Sequence, residues 1–591
     1  MSSALQGGNI KVVLEGRGPL TLRQDNYIAA GGEGMIYAAG DTAIKIYHDP
    51  KSKVSWNRVP EKLVFFKNHQ HPYVVAPQGS VFGSKGETIG YYMPFVRDAD
   101  HGGNAEPIMR IFTNDSRRRL GFTDADSSTL VERMREIIMF AHANNAITVD
   151  ANELGYFVLP RGAKGPEPRM IDTDCWVLNG LCPPTLPIMP SIRDWHCATP
   201  FGEMQDWFAW AVVTFQVYSG LHPYKGNLEG YLPKDFELRM KANASVFDPK
   251  IRLNRAVRDF SCIPDVLLEW YEATFQKGER SVPPSPFDKR TLARAAQVMR
   301  VVTTTATGAL IFKKLYAQVG DPVAHIYPCG VALLKSGVLI NLSTMRTIGS
   351  VPSNDCEVVK AQGGWLTACG GLGRKPTFSF INETSLQQET IAFDFTGYRF
   401  MRYENRLFVV TDKGLSELTL HMFNKPILTV GQTWGAMVNA TRWFDGVGIQ
   451  DAFGSTFVIT PFGDNACAQV RVPELDGIKP IAAKAGNRFV TVVGIDAQGQ
   501  MHKVEIALDR EYRSYTIWQR DVDTPDLNIA ILPKGACVTI VEDGRLSVFV
   551  PTNGAINNIQ DKQIATDMTL ANWGDQVVYI QDGAVWSLQM K

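Results

Sequence analysis

The sequence predicts a multidomain protein, an α+β half followed by an all-β half, and three observations carry that prediction. The chain has 591 residues, enough for several compact units at about 100–200 residues each. Between about residues 125 and 300, apolar side chains recur three and four positions apart, as at 130–141 and 263–275, which is the period of helices packed on a core. Beyond about residue 305 that period is gone, and short runs rich in Val, Ile, Thr and Phe alternate with turns containing Gly, Asp and Asn.

The second half repeats one unit: a short apolar strand, a tight turn with glycine, and a second strand. Leu407-Phe408-Val409-Val410-Thr411, the turn Asp412-Lys413-Gly414 and the run 415–420 form one example; 538–541, Glu542-Asp543-Gly544 and 545–550 form another. The turn glycines Gly337, Gly371, Gly414, Gly454, Gly499, Gly544 and Gly583 mark seven units, 34 to 45 residues apart. A hairpin repeat of about 40–45 residues is the signature of a β-propeller built from four-stranded blades, so seven blades are expected. The last hairpin, 577–590, leaves no room for a further strand, and Ala309-Leu310-Ile311-Phe312 is expected to complete that blade and close the ring. The Gly-His and Trp-Asp repeat signature is missing, which keeps a β-sandwich pair or an irregular β domain as the competing arrangements.

Composition narrows the partners. Sixty basic and 60 acidic residues balance to zero, so no global positive surface points to nucleic acid or an anionic membrane. At 45% apolar and 20% charged residues the chain can build large cores. Nine cysteines without a CxxC pair suit a reducing compartment. Residues 1–10 have no basic segment followed by an apolar run, and the longest apolar stretch, 207–218, falls short of the roughly 20 residues that cross a bilayer. A cytoplasmic location with no membrane and no nucleic-acid partner is expected.

The chemistry begins at Tyr27-Ile28-Ala29-Ala30-Gly31-Gly32-Glu33-Gly34-Met35-Ile36-Tyr37, where glycines allow a strand-turn-strand to close over phosphate oxygens. It continues in Thr42-Ala43-Ile44-Lys45-Ile46-Tyr47, a β-type run whose single lysine points beneath that turn. Glu61, on the following helical pattern, is placed to pair with Lys45. Tyr91-Tyr92-Met93-Pro94-Phe95-Val96, the helical run to His142, Thr148-Val149-Asp150, Ile171-Asp172-Thr173-Asp174 and the apolar helix from Asp206 to Tyr218 then follow in order.

These segments together resemble the protein-kinase superfamily, over about residues 20 to 300. Gly-Gly-Glu-Gly, Val-Asp-Ala-Asn and Ile-Asp-Thr-Asp are similar to a bacterial kinase-like branch that carries Ile-Asp-Thr-Asp in place of Asp-Phe-Gly. The resemblance implies a bilobal domain at 21–300, with an N-lobe at 21–97 and a C-lobe at 98–300, between an extension at 1–20 and the propeller at 301–591. It implies ATP and Mg²⁺ as cofactors. Gly31, Gly32, Gly34, Ile36, Ala43, Glu61, Met93, Pro94, Val96 and Asn152 would surround the nucleotide. Lys45 would hold its phosphates, and the Val96 amide and Pro94 carbonyl would meet adenine. Asp150 would be the base for the acceptor hydroxyl, and Asp172 with Asp174 would ligate the metal. Asp206 would cap its helix and brace the loop before Asp150. A protein substrate or partner recruited by the propeller, or a cognate phosphatase or von Willebrand-type protein from a stress or phage-defence cluster, is the partner so implied.

Several positions depart from the kinase pattern. Ala29 replaces the first loop glycine, and Thr148-Val149 replaces the His-Arg pair, so no arginine awaits an activation-loop phosphate. Asn152 stands where many kinases have a phosphate-contacting lysine. Gly155 replaces the asparagine that holds a second Mg²⁺, and Ala198-Thr199-Pro200 is a faint echo of the Ala-Pro-Glu anchor. Three functions therefore stand open: transfer of a phosphoryl group to a protein Ser/Thr hydroxyl, a pseudokinase scaffold or nucleotide-sensing switch, and an interaction protein with a vestigial site. Elsewhere, His69 and His71 fit a loop after a helix better than a metal site. Arg117-Arg118-Arg119 reads as a solvated face, and Cys329, Cys356 and Cys369 as small apolar residues of the β half.

Overall fold

The computed structural model describes the chain except residues 1–8, 50–58, 179–187, 198–200, 254–255, 289–309 and short stretches at 353–354, 372–373, 394, 396, 464, 534, 542–544, 551–554, 562, 565–567 and 591. The Ala198-Thr199-Pro200 echo and the Gly544 turn lie outside the described residues.

The N-terminal half opens with an antiparallel sheet of β1 (Ile10–Leu14), β2 (Gly18–Leu22), β3 (Tyr27–Ala30), β4 (Gly34–Ala39), β5 (Thr42–Tyr47), β6 (Gly79–Phe82) and β7 (Thr88–Pro94). The spatial order is β2-β1-β6-β7-β5-β4-β3, with α1 (Val59–Asn68) between β5 and β6. The segment 1–20 is therefore not simply an extension: β1 pairs with β6 and belongs to the sheet. Strand β5 is buried along its whole length and sorts its side chains by the two-residue period. Ile44 and Ile46 enter one core with Tyr27, Tyr37 and Val81; Ala43 and Tyr47 enter another with Val59, Tyr91 and Met93.

A helical region follows: α2 (Ile108–Phe112), α3 (Asn114–Leu120), α4 (Asp124–Ala143), α5 (Glu203–Ser219), α6 (Phe236–Lys241) and α7 (Asp265–Phe275). Helix α4 starts at a capping box in which the Thr123 hydroxyl accepts from the Asp126 amide and the Asp126 carboxylate accepts from the Thr123 amide. Every residue of α5 from Gln205 to Ser219 is buried, as expected of a helix apolar on all sides, and it forms the axis of the largest core. It ends at Gly220, whose φ of 75° is the left-handed conformation that glycine adopts without cost.

Among the described residues the C-terminal half is β-rich and contains seven four-stranded antiparallel sheets. The first comprises Val323–Tyr327, Val331–Leu334, Val338–Asn341 and Arg346–Ser350. The second runs from Cys356–Ala361 to Gln388–Ile391, the third from Arg399–Tyr403 to Pro426–Gly435, and the fourth from Thr441–Trp443 to Ala466–Arg471. The fifth runs from Lys479–Gly486 to Tyr515–Asp521 and the sixth from Ile529–Ile531 to Ala555–Ile559. The seventh joins Thr569–Trp573, Gln576–Gln581 and Ala584–Met590 to Leu310–Tyr316, so the expected pairing of the first strand with the last is present.

Sheets bury both faces, which is why their strands read as continuous apolar runs. In the first, Leu333 and Leu339 pack on Val358 and Trp365 of the second, while Leu334 and Ile340 pack on Val578 and Val585 of the seventh. The same sharing links second to third, third to fourth, fourth to fifth, fifth to sixth and sixth to seventh. Seven inter-sheet cores thus succeed one another without a break, an arrangement compatible with a propeller. Cys356 and Cys369 are buried opposite each other on adjacent strands, and the half-buried Cys329 packs on the same core. Gly371 differs from the expected turn marker by ending a strand.

The β half is packed against the N-terminal half rather than tethered to it. Ile481, Ile495 and Met501 of the fifth sheet belong to the core around α5. Asp98 and Asp100, nearly fully buried just after β7, face Arg442 and Arg399 of the fourth and third sheets. The Asn114 amide donates to Asp526, and Arg118 to the Thr569 hydroxyl. The arginine run on α3 is accordingly not a solvated face. Arg117 is buried against Ser127 and Asp124, and Arg119 pairs with Asp115 in a well lined by His325, Asp355 and Glu357.

This junction predicts its own thermodynamics. Arg442→Met leaves the Asp98 carboxylate buried without its guanidinium partner, a loss of about 2–5 kcal/mol for one member of a buried pair. Thermal unfolding should show a lowered midpoint for Arg442→Met, and the Asp98→Asn/Arg442→Met double variant should lose less than the sum of the single changes.

Candidate functional site

The site is built on β3, β4 and β5. The Gly31 amide donates to the Gly34 carbonyl and closes the turn between β3 and β4. Gly34 is required there, because any Cβ would drive into the Ile46 carbonyl of the neighbouring strand. Beneath the turn, Lys45 shares a face of β5 with Ala43 and Tyr47. Ala43 and Met93 lie opposite each other on β5 and β7. Together with Tyr91 they form an apolar cluster on which Ile36, Val96 and Ile171 also pack. Pro94 ends β7 with its ring exposed, and the next amide, Phe95, donates to the Asp41 carbonyl.

The electrostatic centre of the cleft is Asp174, wholly buried. One oxygen contacts Lys45 Nζ and accepts from the Tyr91 hydroxyl at 2.9 Å; the other accepts from Lys62 Nζ at 2.6 Å and the Tyr47 hydroxyl at 2.9 Å. Burial works to raise its pKa, but the two ammonium groups outweigh burial and hold the carboxyl well below the usual carboxylate range. Burial likewise works against the charge on Lys45, and Asp174, Asp172 and Glu33 overcome it to keep the amine firmly protonated.

Two expectations are corrected here. Glu61 does not orient Lys45: it is exposed on α1, and the inward residue is its neighbour Lys62, 2% exposed. Asp174 does not project as a second free metal ligand, since both its oxygens are occupied by cations and phenols. In effect Asp174 takes the part assigned to Glu61. Lys62 has the helical phase of Val59, Phe65 and Phe66, so its inward position was visible in the spacing, whereas Tyr47 and Tyr91 gave no signal beyond strand propensity.

The second arm of the site lies between α4 and α5. Val149 is fully buried and held at φ 63°, an uncommon and strained conformation for a β-branched residue. Asp206 imposes it, accepting from the Thr148 and Val149 amides at 2.7 Å each and contacting His142 Nε2 at 2.9 Å. Asp206 thus braces this loop as expected, but it does not cap its helix, which begins at Glu203 with Gly202 as the capping residue.

Asp150 follows the strained residue. Its oxygens accept from the Met189 amide and the Asn152 side-chain amide, both at 3.0 Å, while Asn152 Oδ1 accepts from the Leu154 amide. Burial pushes the Asp150 carboxyl up to about 6, against the lowering effect of its two donors, with Asp172 and Glu33 adding to the rise. The Gly155 carbonyl accepts from the Ile171 amide at 2.9 Å and ties the Asp150 segment to the Asp172 segment. Asp172 stays half-exposed, with Oδ1 4.0 Å from Lys45 Nζ and accepting from the Asp174 amide at 3.2 Å.

A single half-exposed carboxylate beside a cleft fits Mg²⁺, which takes one or two carboxylates and completes its shell with waters and phosphates. Asp172 meets that description and Asp174 does not. Among the described residues no group of three or more His, Cys, Asp or Glu side chains has metal-binding geometry. His69 contacts the Phe65 carbonyl and His71 packs on Tyr73 and Phe140, as a loop after a helix requires. No protein-family model matches the chain, and no curated protein matches it by sequence.

Asp174→Asn would leave Lys45 and Lys62 without their shared carboxylate and should cost about 3–5 kcal/mol in unfolding experiments. Because the folded carboxyl is held below its unfolded value, its contribution is present above about pH 4 and is lost as pH falls further. Acid titration of stability should therefore be shallower below pH 4 in Asp174→Asn than in the parent protein.

Proposed function

We propose that the protein is an ATP-dependent, protein-kinase-like enzyme: a bilobal domain that transfers a phosphoryl group to a protein Ser or Thr hydroxyl, joined to a seven-bladed β-propeller that recruits a protein partner or substrate. The observation that carries this reading is the approach of the glycine hairpin with Lys45 to the Asp150 and Asp172 segment far later in the chain, with Asp172 Oδ1 4.0 Å and Glu33 Oε2 3.1 Å from Lys45 Nζ.

In this reading the apolar cluster of Ile36, Ala43, Met93 and Val96 receives adenine. Lys45 meets the phosphates and Asp172 holds Mg²⁺, which neutralises charge on the transferring group. Asp150 accepts the proton of the acceptor hydroxyl as its oxygen bonds to the γ-phosphorus and the bond to the β-phosphate oxygen breaks. Asn152 and the Met189 amide fix the Asp150 rotamer. A base near 6 is ionised at neutral pH yet retains basicity. The nucleotide-sensing pseudokinase is favoured by one observation, the absence of a side chain at Gly155. A cytoplasmic setting and a cognate phosphatase or von Willebrand-type protein as partner belong to the same proposal.

The test is incorporation of labelled phosphate from Mg-ATP into the protein itself and into a generic acceptor. Asp150→Asn and Asp172→Ala should each lose at least about a hundredfold in rate, and the parent rate should rise with pH through about 6 as Asp150 loses its proton. Nucleotide binding without transfer in the parent protein would favour the pseudokinase. Gly155 discriminates further: a Cβ there meets Asp172 Cβ at 3.7 Å, an ordinary contact, and no left-handed backbone opposes a side chain. Gly155→Asn should therefore fold normally and raise Mg²⁺-dependent transfer by supplying the missing amide oxygen.

A further inference from the structure

The cleft already contains an anion of its own. Glu33, between Gly32 and Gly34, folds its side chain under the turn, with Oε2 3.1 Å from Lys45 Nζ. Its other oxygen, Oε1, is buried and has no hydrogen-bond partner among the described residues, and the side chain is 16% exposed. The backbone on either side of this residue is pinned: the Gly31 amide donates to the Gly34 carbonyl, and the His48 amide donates to the Glu33 carbonyl. A carboxylate so placed is poorly solvated, half-satisfied and close to the negative charges of Asp172 and Asp174, yet it occupies a face of the Lys45 ammonium, which the nucleotide-binding reading gives to phosphate.

We infer that Glu33 is a built-in competitor for phosphate, a side chain that holds Lys45 in the empty site and must swing out before a nucleotide's phosphates reach that lysine. The inference rests on the nucleotide-binding reading above and specifies how that site discriminates: it weakens phosphate-bearing ligands selectively and leaves the adenine cluster untouched. Its anchored backbone, its partial exposure of 16% and the single hydrogen-bonding partner of its carboxylate, Lys45, among the described residues support the swing. Burial, with the charges of Asp174 and Asp172, works against the ionised form of Glu33, while Lys45 works for it, so the carboxylate is held in place chiefly by one ion pair.

The experiment is calorimetric titration of the full chain with Mg-ATP and, separately, with adenosine, on the parent protein, Glu33→Gln, Lys45→Met and the double variant. Glu33→Gln should bind Mg-ATP about tenfold more tightly and adenosine equally well, and the gain should vanish in the Lys45→Met background. The conservative Glu33→Asp, one methylene short of Lys45, should fall between the parent and Glu33→Gln. Equal or weaker Mg-ATP binding by Glu33→Gln, with adenosine still bound, overturns the inference while leaving the nucleotide reading intact. Binding of neither ligand by any variant overturns the nucleotide reading and this inference with it, and thermal midpoints in buffer exclude misfolding as the cause.

Discussion

The N-terminal half is organised by one buried carboxylate. At Asp174 the strands β5 and β7, helix α1 and the segment after Met170 share a polar contact: it joins Lys45 and Tyr47 of β5, Tyr91 of β7 and Lys62 of α1. Two ammonium groups and one carboxylate leave excess positive charge at the back of the cleft, which a buried site tolerates only if other anions stand nearby. Glu33 and Asp172 supply them at the front. From Lys62 and Asp174 through Lys45 to Glu33 and Asp172, the charges alternate in sign as their side chains pass from buried to half-exposed.

The β half acts on the same cleft from outside. Phe453 stacks on Tyr27 of β3 with ring centroids 4.2 Å apart, Lys479 reaches the Ala30 carbonyl at 3.4 Å, and Asn439 donates to the Asp25 carbonyl. The first two contacts fall on the strand that leads into the glycine turn and the third on the turn just before it. Others fall on α3 and on the segment after β7. Sheet and helical region are therefore held by a common neighbour.

Periodicity made the architecture legible and left the site half legible. Turn glycines such as Gly337, Gly454, Gly499 and Gly583 marked their sheets because each sheet buries both faces and needs a tight reversal, a local requirement that composition records. Lys45 was legible as a lysine in an apolar strand, whereas Asp150, Asp172 and Asp206 were singled out only by the order of segments that resembles a protein kinase. Glu61 misled because helix α1 presents acidic and basic residues side by side, and which of them faces inward depends on phase; Lys62 has the phase of Phe65 and Phe66. The arginines of α3 misled for a different reason. Besides the nearby Asp115 and Asp124, Arg118 reaches Thr569 and Arg119 lies in the well around His325, hundreds of residues away, and no local pattern marks a charged helix as buried by another domain.

The position of Asp150 shows why the two halves belong together. Its loop is strained at Val149, and strain persists only where surroundings over-determine it. Asp206 holds the loop from the helix side. On the other side the Met189 amide holds the carboxylate, and Met189 with Ile192 packs on Ile495 and Met501 of the fifth sheet. The turn between those two strands passes so close that a Cβ on Gly499 would collide with Ser191, and its φ of 81° requires glycine in any case. Lys225, from the helical region, donates to Gln500 in the same turn at 2.7 Å. The fifth sheet thus packs on Met189 and Ile192, and the Met189 amide in turn holds the Asp150 carboxylate, so the geometry around Asp150 depends on the all-β half being in place.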